Sequence, residues 1–360
     1  MPQKEQSNAF DDGVPLSRPN IHKVAIVHTN IIRENYPTEQ EYLSDFDVIE
    51  RATDIKQLLG SYSYQVLLTP WNDSVVETIR NFSPDVIINM VETVDGDTLK
   101  ASSAYETIAT LRIPYTGIDA KTFVLNCYKD AFKERLLDNN VSTPAYTIVD
   151  SLTSIDSEKI TPLLPAMVKL NTHRGGSIGM DETAICYTLE QVRTRCETII
   201  KTFRSKALVE KYIKGKELTG IAIQRGNDID VFVGQKVFSS DYSFCSWKAV
   251  WMDEDSYAYN GPYDDSDGKI RELCINGFYA CGVTGYAKFD ILVDQEGTPY
   301  IVDINPDCSL GRHDSAIDVV PSLFGREFEV SLFAIINTAL KVNKQRALEV
   351  TPQKALYFHT

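Results

Sequence analysis

The chain has 360 residues, with 36 Lys and Arg against 50 Asp and Glu and a formal net charge of −14. That length divides more naturally into two or three compact units than one core, and so acidic a balance opposes nonspecific binding to nucleic acid or anionic membrane. The seven cysteines form no CxxC pair and read as reduced thiols. The first ~20 residues are polar and unlike a signal peptide, and no apolar run approaches the ~20 residues a bilayer needs, so a cytoplasmic protein is expected.

In chain order, residues 1–20 are expected to form a disordered tail. Residues 21–118 alternate strands at 24–28, 64–68 and 86–89 with helices at 39–59 and 74–81, which predicts an α/β unit with a parallel sheet. A helical link at 119–139 opens a central unit, 119–209, in which short strands from Tyr146 onward alternate with a helix at 189–203. Residues 210–345 read as a larger antiparallel sheet with helices at 267–281 and 323–341, and residues 346–360 as a tail. Residues 251–262 read as a loop rich in aromatic and acidic side chains. The fold class is α/β, becoming α+β in the C-terminal part.

The most informative stretch is a predicted hairpin. Residues 285–293 are rich in β-branched and aromatic side chains, Asp294-Gln295-Glu296-Gly297 supplies turn chemistry, and residues 298–304 return. Asp303 and Asn305 are two apart and project from one face of the second strand, where Asp290 can meet them from the first. Two carboxylates and an amide oxygen are hard ligands suited to Mg²⁺ held against phosphates. A spaced Asp/Asn pair in an apolar strand is costly unless something satisfies it. Lys288 shares the face of Asp290, either as a plain ion pair or to stabilise charge developing on a reacting oxygen.

Two upstream segments carry weaker signals. An apolar strand bearing Lys169 runs into Thr172-His173-Arg174-Gly175-Gly176-Ser177-Ile178-Gly179. Three glycines and a serine let backbone N–H groups approach an anion, although the spacing is neither a Walker A nor a dinucleotide fingerprint. A hairpin turn explains the loop equally well by itself; the strand lysine before it favours phosphate contact. Further on, the strand ending at Glu210-Lys211-Tyr212-Ile213 turns at Gly215 and resumes with Glu217. Backbone groups there can read an adenine edge and a carboxylate can hold a ribose, but alone the segment is simplest as strand–turn–strand with solvated charges.

These three segments, in this order, resemble the ATP-grasp superfamily, and within it the D-alanine–D-alanine ligase group, over about residues 23–342. Arg112-Ile113-Pro114-Tyr115-Thr116-Gly117, Cys127-Tyr128-Lys129-Asp130-Ala131-Phe132-Lys133 and Asn140-Val141-Ser142-Thr143-Pro144 extend the resemblance. It implies an ATP-grasp fold with an N-terminal parallel α/β domain, a small central lid-like domain and a C-terminal antiparallel-sheet domain. It also implies Lys129 and Lys169 on the phosphates of ATP, with Gly175, Gly176 and Ser177 closing over them. Glu210, Lys211 and Ile213 would frame the adenine and Glu217 the ribose. Asp290, Asp303 and Asn305 would hold two Mg²⁺ ions, with Mn²⁺ as an acceptable substitute. Lys288 stands where the family usually has an arginine, whose bidentate fork lysine lacks. Lys248 is the nearest candidate for a lysine on the γ-phosphate, and Lys236 a weaker one. Members are often homodimers.

The activity implied is ATP-dependent and ADP-forming: a carboxylate attacks the γ-phosphate, and an amine then displaces phosphate from the acyl phosphate. Positioning and charge neutralisation suffice for this chemistry, provided a lid excludes water. The departures from the group's pattern fall at Glu92, in Met90-Val91-Glu92-Thr93-Val94-Asp95-Gly96-Asp97, and after Asn305, where Ser309, a displaced Gly311, Arg312 and His313 follow. Arg312 either pairs with a substrate carboxylate or is a surface arginine; Cys308 either touches substrate or is inert. Ser177, Lys288 and Arg312 are the candidate catalytic residues, and Glu92, Ser309, Arg312 and His313 the candidate substrate contacts. Because the departures lie on the amino-acid side, the expectation is an amino-acid ligase of specialised metabolism. The alternatives are a D-alanine–D-alanine ligase of cell-wall synthesis, an ATP-dependent small-molecule kinase and a non-catalytic nucleotide-binding module.

Overall fold

The computed structural model describes residues 18–172 and 177–349. Most of the expected tails 1–20 and 346–360, namely 1–17 and 350–360, and Gly175 and Gly176 of the glycine loop, lie outside these residues, while 346–349 continue the last helix.

Among the described residues twelve strands form three sheets. β1 (Lys23–His28), β2 (Gln65–Pro70) and β3 (Val86–Met90) make a parallel sheet in the order β2-β1-β3. Val24, Ala25, Ile26 and Val27 are all buried, as are Val86, Ile87 and Ile88. Such unbroken apolar runs are what a parallel strand covered on both faces requires. β4 (Tyr146–Val149), β5 (Ala166–Leu170), β6 (Ile185–Cys186) and β7 (Ala207–Lys211) form a second sheet, antiparallel, in the order β4-β7-β5-β6. β8 (Gly215–Arg225), β9 (Asp228–Phe238), β10 (Tyr257–Asn260), β11 (Tyr286–Asp294) and β12 (Pro299–Pro306) form the third, also antiparallel, in the order β10-β9-β8-β11-β12.

The chain crosses back on itself at its C-terminal end. Leu332, Phe333, Ile335 and Ile336 of the helix Phe328–Glu349 share one core with Val24 and Ile26 of β1 and with Ile55 and Leu59 of the helix Val48–Ser61. The sheet β2-β1-β3 is therefore closed on one side by residues more than 300 positions after β1.

Four elements differ from expectation. Residues 39–59 form two helices, Glu39–Asp45 and Val48–Ser61, and a further helix spans Ala101–Thr110. The segment 251–262 contains a strand, β10, because Tyr257 and Tyr259 alternate with exposed neighbours at period two and pair with β9. The last helix starts at Phe328 rather than 323, just after Gly325, whose φ of +74° belongs to a turn.

Candidate active site

Residues from the two antiparallel sheets, and from helices and loops around the parallel one, line a cleft of about 1160 Å³. Its floor is the β11–β12 hairpin. Antiparallel pairing sets Lys288 opposite Asn305 and Asp290 opposite Asp303. Directly after Asp290 the register shifts, so that Ile291 pairs with Ile301 and Val302 is left over. Such a bulge re-aims the flanking side chains. The spare Val302 carbonyl accepts a hydrogen bond of 3.1 Å from Lys169 Nζ, on β5.

Lysines and carboxylates interleave across this floor. Asp290 accepts from Lys288 Nζ at 3.0 Å and Lys236 Nζ at 3.1 Å, and Lys236 also donates to Glu217 at 2.9 Å. Lys129 donates to Asp303. Glu210 lies between Lys169 at 2.7 Å and Lys133 at 2.8 Å. Burial would raise the Asp290 pKa, but the Lys236 and Lys288 charges outweigh it and hold this carboxyl well below the usual range. Burial lowers Lys133 to about 8 despite Glu210, while Lys133 and Lys169 overcome the burial of Glu210 and keep it ionised. Five lysines (129, 133, 169, 236, 288) thus meet four carboxylates (210, 217, 290, 303), a surplus of positive charge suited to a polyphosphate.

Several expected residues sit elsewhere than their roles suggested. Glu210 lines the cleft, but its side chain, 3 % exposed, is committed to the two buried lysines rather than turned toward a base. Ile213 is buried on the cleft wall, whereas Lys211 is exposed and its backbone N–H donates to the Ala145 carbonyl. Lys248 is on the exposed side of the short helix Trp247–Trp251, with its ammonium 5.9 Å from the Tyr242 ring centroid, and does not line the cleft. Lys236, brought inward by the alternation of β9, does. Arg312, 42 % exposed, is at the cleft edge with its guanidinium 3.5 Å from Glu329 on the last helix, so it is not held ready for a substrate carboxylate. Ser177, Ser309 and His313 also line the cleft. Cys245 and Cys308 do too, as protonated thiols: burial pushes Cys245 up to about 12 and raises Cys308 well above its ordinary value.

Other cleft groups went unnoticed in the sequence. Glu92, a candidate from the start, accepts from Nη2 of Arg51 at 2.9 Å. Nearby, Asp45 accepts from the Thr93 hydroxyl at 2.6 Å and the Tyr36 hydroxyl at 3.0 Å, and burial together with the Glu92 charge raises its pKa to about 7. Only the periodicity of the helix Val48–Ser61 held a clue, since Arg51 falls on its apolar stripe. Gly117, which ends the Arg112–Gly117 turn, has a φ of +90°, and a Cβ there would lie 2.3 Å from the Asp307 carboxylate oxygens. Asp307 in turn accepts from the Ile118 N–H at 3.0 Å and the Tyr105 hydroxyl at 3.2 Å, which ties that turn to the end of the metal-candidate strand.

Among the described residues no three His, Cys, Asp or Glu side chains group as a metal cluster. The donor set Asp290, Asp303 and Asn305 nonetheless fits a hard cation that takes its remaining oxygens from phosphate, with ammonium groups now standing on both carboxylates. No described helix is long and apolar enough to cross a membrane.

The chain is similar to known proteins in sequence and in fold. The family model described as "D-ala D-ala ligase C-terminus" matches residues 148–310. The D-alanine–D-alanine ligase of Acinetobacter baumannii (strain AYE) is 25 % identical over 276 residues, 76 % of this chain and 84 % of that one. Crystallographic D-alanine–D-alanine ligase from Bacillus anthracis superimposes with a TM-score of 0.70 at 18 % identity, covering 90 % of this chain and 99 % of that one; its complex with ATP gives 0.66 at 17 % identity and the same coverage. The enzyme from Coxiella burnetii gives 0.67 at 13 % identity, covering 92 % and 97 %. The chain is thus similar in sequence to D-alanine–D-alanine ligases, over residues 148–310 to the C-terminal part of that family, and shares their fold.

Proposed function

We propose that the protein uses ATP to phosphorylate the carboxylate of one amino acid and joins it to the amine of a second, a dipeptide ligase of the D-alanine–D-alanine type. The relatives favour this over the specialised-metabolism reading drawn from the sequence. The observation that carries it is the register of β11 against β12, with Lys129 and Lys236 on its carboxylates and Lys169 on its Val302 carbonyl.

In this reading Lys129, Lys169 and Lys236 exchange their carboxylate partners for phosphate oxygens. Lys133 keeps Glu210 ionised between two ammonium groups, so Glu210 serves as an anchor for Lys169. Ile213 packs on the base and Glu217 holds the ribose. Asp290, Asp303 and Asn305 would hold Mg²⁺, which supplies neutralisation of the charge on the transferring phosphoryl group. Lys288 faces the carbonyl oxygen as a single ammonium donor. Ser177, beside the cleft, closes with the glycine loop and shields the acyl phosphate from water. Cytoplasmic location and a homodimer belong to the same reading.

A different amino-acid pair is the second reading. It is favoured by the Arg51–Glu92 ion pair on the cleft wall, in the region where the sequence departs from the group's pattern. A coupled ADP-release assay tests both: D-alanine alone should sustain release if the first is right, and a panel of other amino acids, singly and in pairs, finds the second. ADP release with a hydroxyl acceptor and no amine would make the protein a kinase. No release with any partner would leave a nucleotide-binding module.

A further inference from the structure

The helix Leu189–Phe203 packs Val192, Cys196 and Ile199 on the central sheet, and Arg195 falls in the same buried stripe. Its side chain is 3 % exposed. Burying a guanidinium is costly unless its donors are paired, and here each of its three nitrogens has an acceptor. Nε donates to the Val168 carbonyl of β5 at 3.4 Å. Nη1 donates to the two Asp181 oxygens, at 3.2 and 3.1 Å, and to the Thr183 hydroxyl at 3.0 Å. Nη2 donates to the Gly179 carbonyl. Burial would raise the Asp181 pKa, but the Thr183 bonds and the Arg195 charge outweigh it and hold this carboxyl below its ordinary value. One side chain thus ties residues 179–183 to β5, next to Lys169.

The turn held in this way is 177–180. The Met180 N–H donates to the Ser177 carbonyl at 2.9 Å, with Ser177 at φ +61° and Gly179 at φ +73°. Gly179 presses the turn onto its support: a Cβ there would fall 2.5 Å from Leu170 Cδ1 and 3.2 Å from Phe203 Cζ. Conformation and space both demand glycine at that position. A second tie leaves the turn on its other side. The Met180 carbonyl accepts at 2.9 Å from the Trp247 N–H, one of the first-turn donors that the short helix Trp247–Trp251 cannot pair by itself. Ser177 and Ile178 line the cleft from this turn, whereas Arg195 does not reach the cleft.

We propose that Arg195 is the positioning residue that sets Ser177 against the polyphosphate of ATP, at a fixed spacing from Lys169. Its guanidinium touches neither nucleotide nor amino acid and acts through the turn 177–180. The proposal rests on the ligase reading and assigns the phosphate contact at this wall to a buried cation on the helix behind it. Its bidentate grip on Asp181, with two carbonyls held at the same time, is a geometry that a single ammonium cannot reproduce.

Calorimetric titration of the full-length protein with ATP and with AMP, in the presence of Mg²⁺, tests it. Arg195→Met should weaken ATP binding at least tenfold and leave AMP binding unchanged, because only the outer phosphates meet Ser177. Arg195→Lys should recover part of the loss. Asp181→Asn should act in the same direction with a smaller effect, and because Asp181 is half exposed it remains informative if Arg195→Met fails to fold. A double-mutant cycle locates the route: in a Ser177→Ala background, Arg195→Met should cost little more. Equal losses for ATP and AMP, additive losses in the cycle, or unchanged ATP binding in Arg195→Met and Asp181→Asn would overturn the proposal. Wild-type binding of ATP without ADP release would overturn the ligase reading alone, since the role of Arg195 is read from binding.

Discussion

Lys169 donates to the carbonyl of Val302 at the one place where β11 and β12 fall out of register, 3.1 Å away and from a different sheet. The bulge thus provides an acceptor, and the lysine links the central sheet to the floor of the cleft. With Glu210 at 2.7 Å on its other side, Lys169 is held in place, and under the proposed function binding ATP would need only an exchange of acceptors. Lys169→Met should raise KM for ATP at least tenfold, measured by initial rates, with the fold retained.

Glu210 sits between Lys133 and Lys169 with almost no exposure. Removing one member of a buried ionic group leaves the others uncompensated, at a cost of about 3–5 kcal/mol. Glu210→Gln should therefore lower the thermal midpoint by many degrees, more than any single substitution on the cleft surface. A midpoint within a degree or two of wild type would show that the triad is well hydrated after all.

Asp303→Asn keeps the strand position and removes the charge that faces Asp290. The variant should remain folded by circular dichroism and lose Mg²⁺-dependent turnover by orders of magnitude. Lys236→Met should lose turnover too, while Lys248→Met, outside the cleft, should keep it; the reverse pattern would return the γ-phosphate role to Lys248.

Asp45 gives a pH signature. Its pKa, raised by burial and by the Glu92 charge to about 7, lies above that of an unfolded aspartate. Between about pH 4 and that value the native state holds a proton that the unfolded chain has released, so stability falls as pH rises through this window. Above it the full cost is present, on the order of 4 kcal/mol. Asp45→Asn can still accept from Tyr36 and Thr93, and should raise the thermal midpoint at pH 8 with little change at pH 4. A gain of equal size at both pH values would contradict the assignment.

Much of this was legible because strands advertise themselves locally. The period-two placement of Lys288, Asp290, Asp303 and Asn305, with a turn between, predicted a facing set that the register reproduces. The helix at 189–203 matched Leu189–Phe203, because Thr188 and Gln191 form a capping box that marks its start. What stayed hidden depends on distant partners. Nothing near Glu210 announces that Lys133 and Lys169 will meet its carboxylate, and Lys248 reads as the nearest candidate because the inward turn of Lys236 depends on the pairing of β9. The bulge at Val302 adds no visible residue type. Arg51 was hidden for the opposite reason: a charge on an apolar stripe looks like a defect until Gly311, 260 positions later, is seen to make room for it.

The return of the last helix to the first sheet has a consequence for biosynthesis. While the ribosome is still making the chain, β1 and the helix Val48–Ser61 emerge early, but Leu332, Phe333 and Ile336 that complete their packing come last. The N-terminal third must wait with an oily face uncovered, so a nascent chain stalled before residue 328 should depend on holdase chaperones, and release of the final helix should end that dependence.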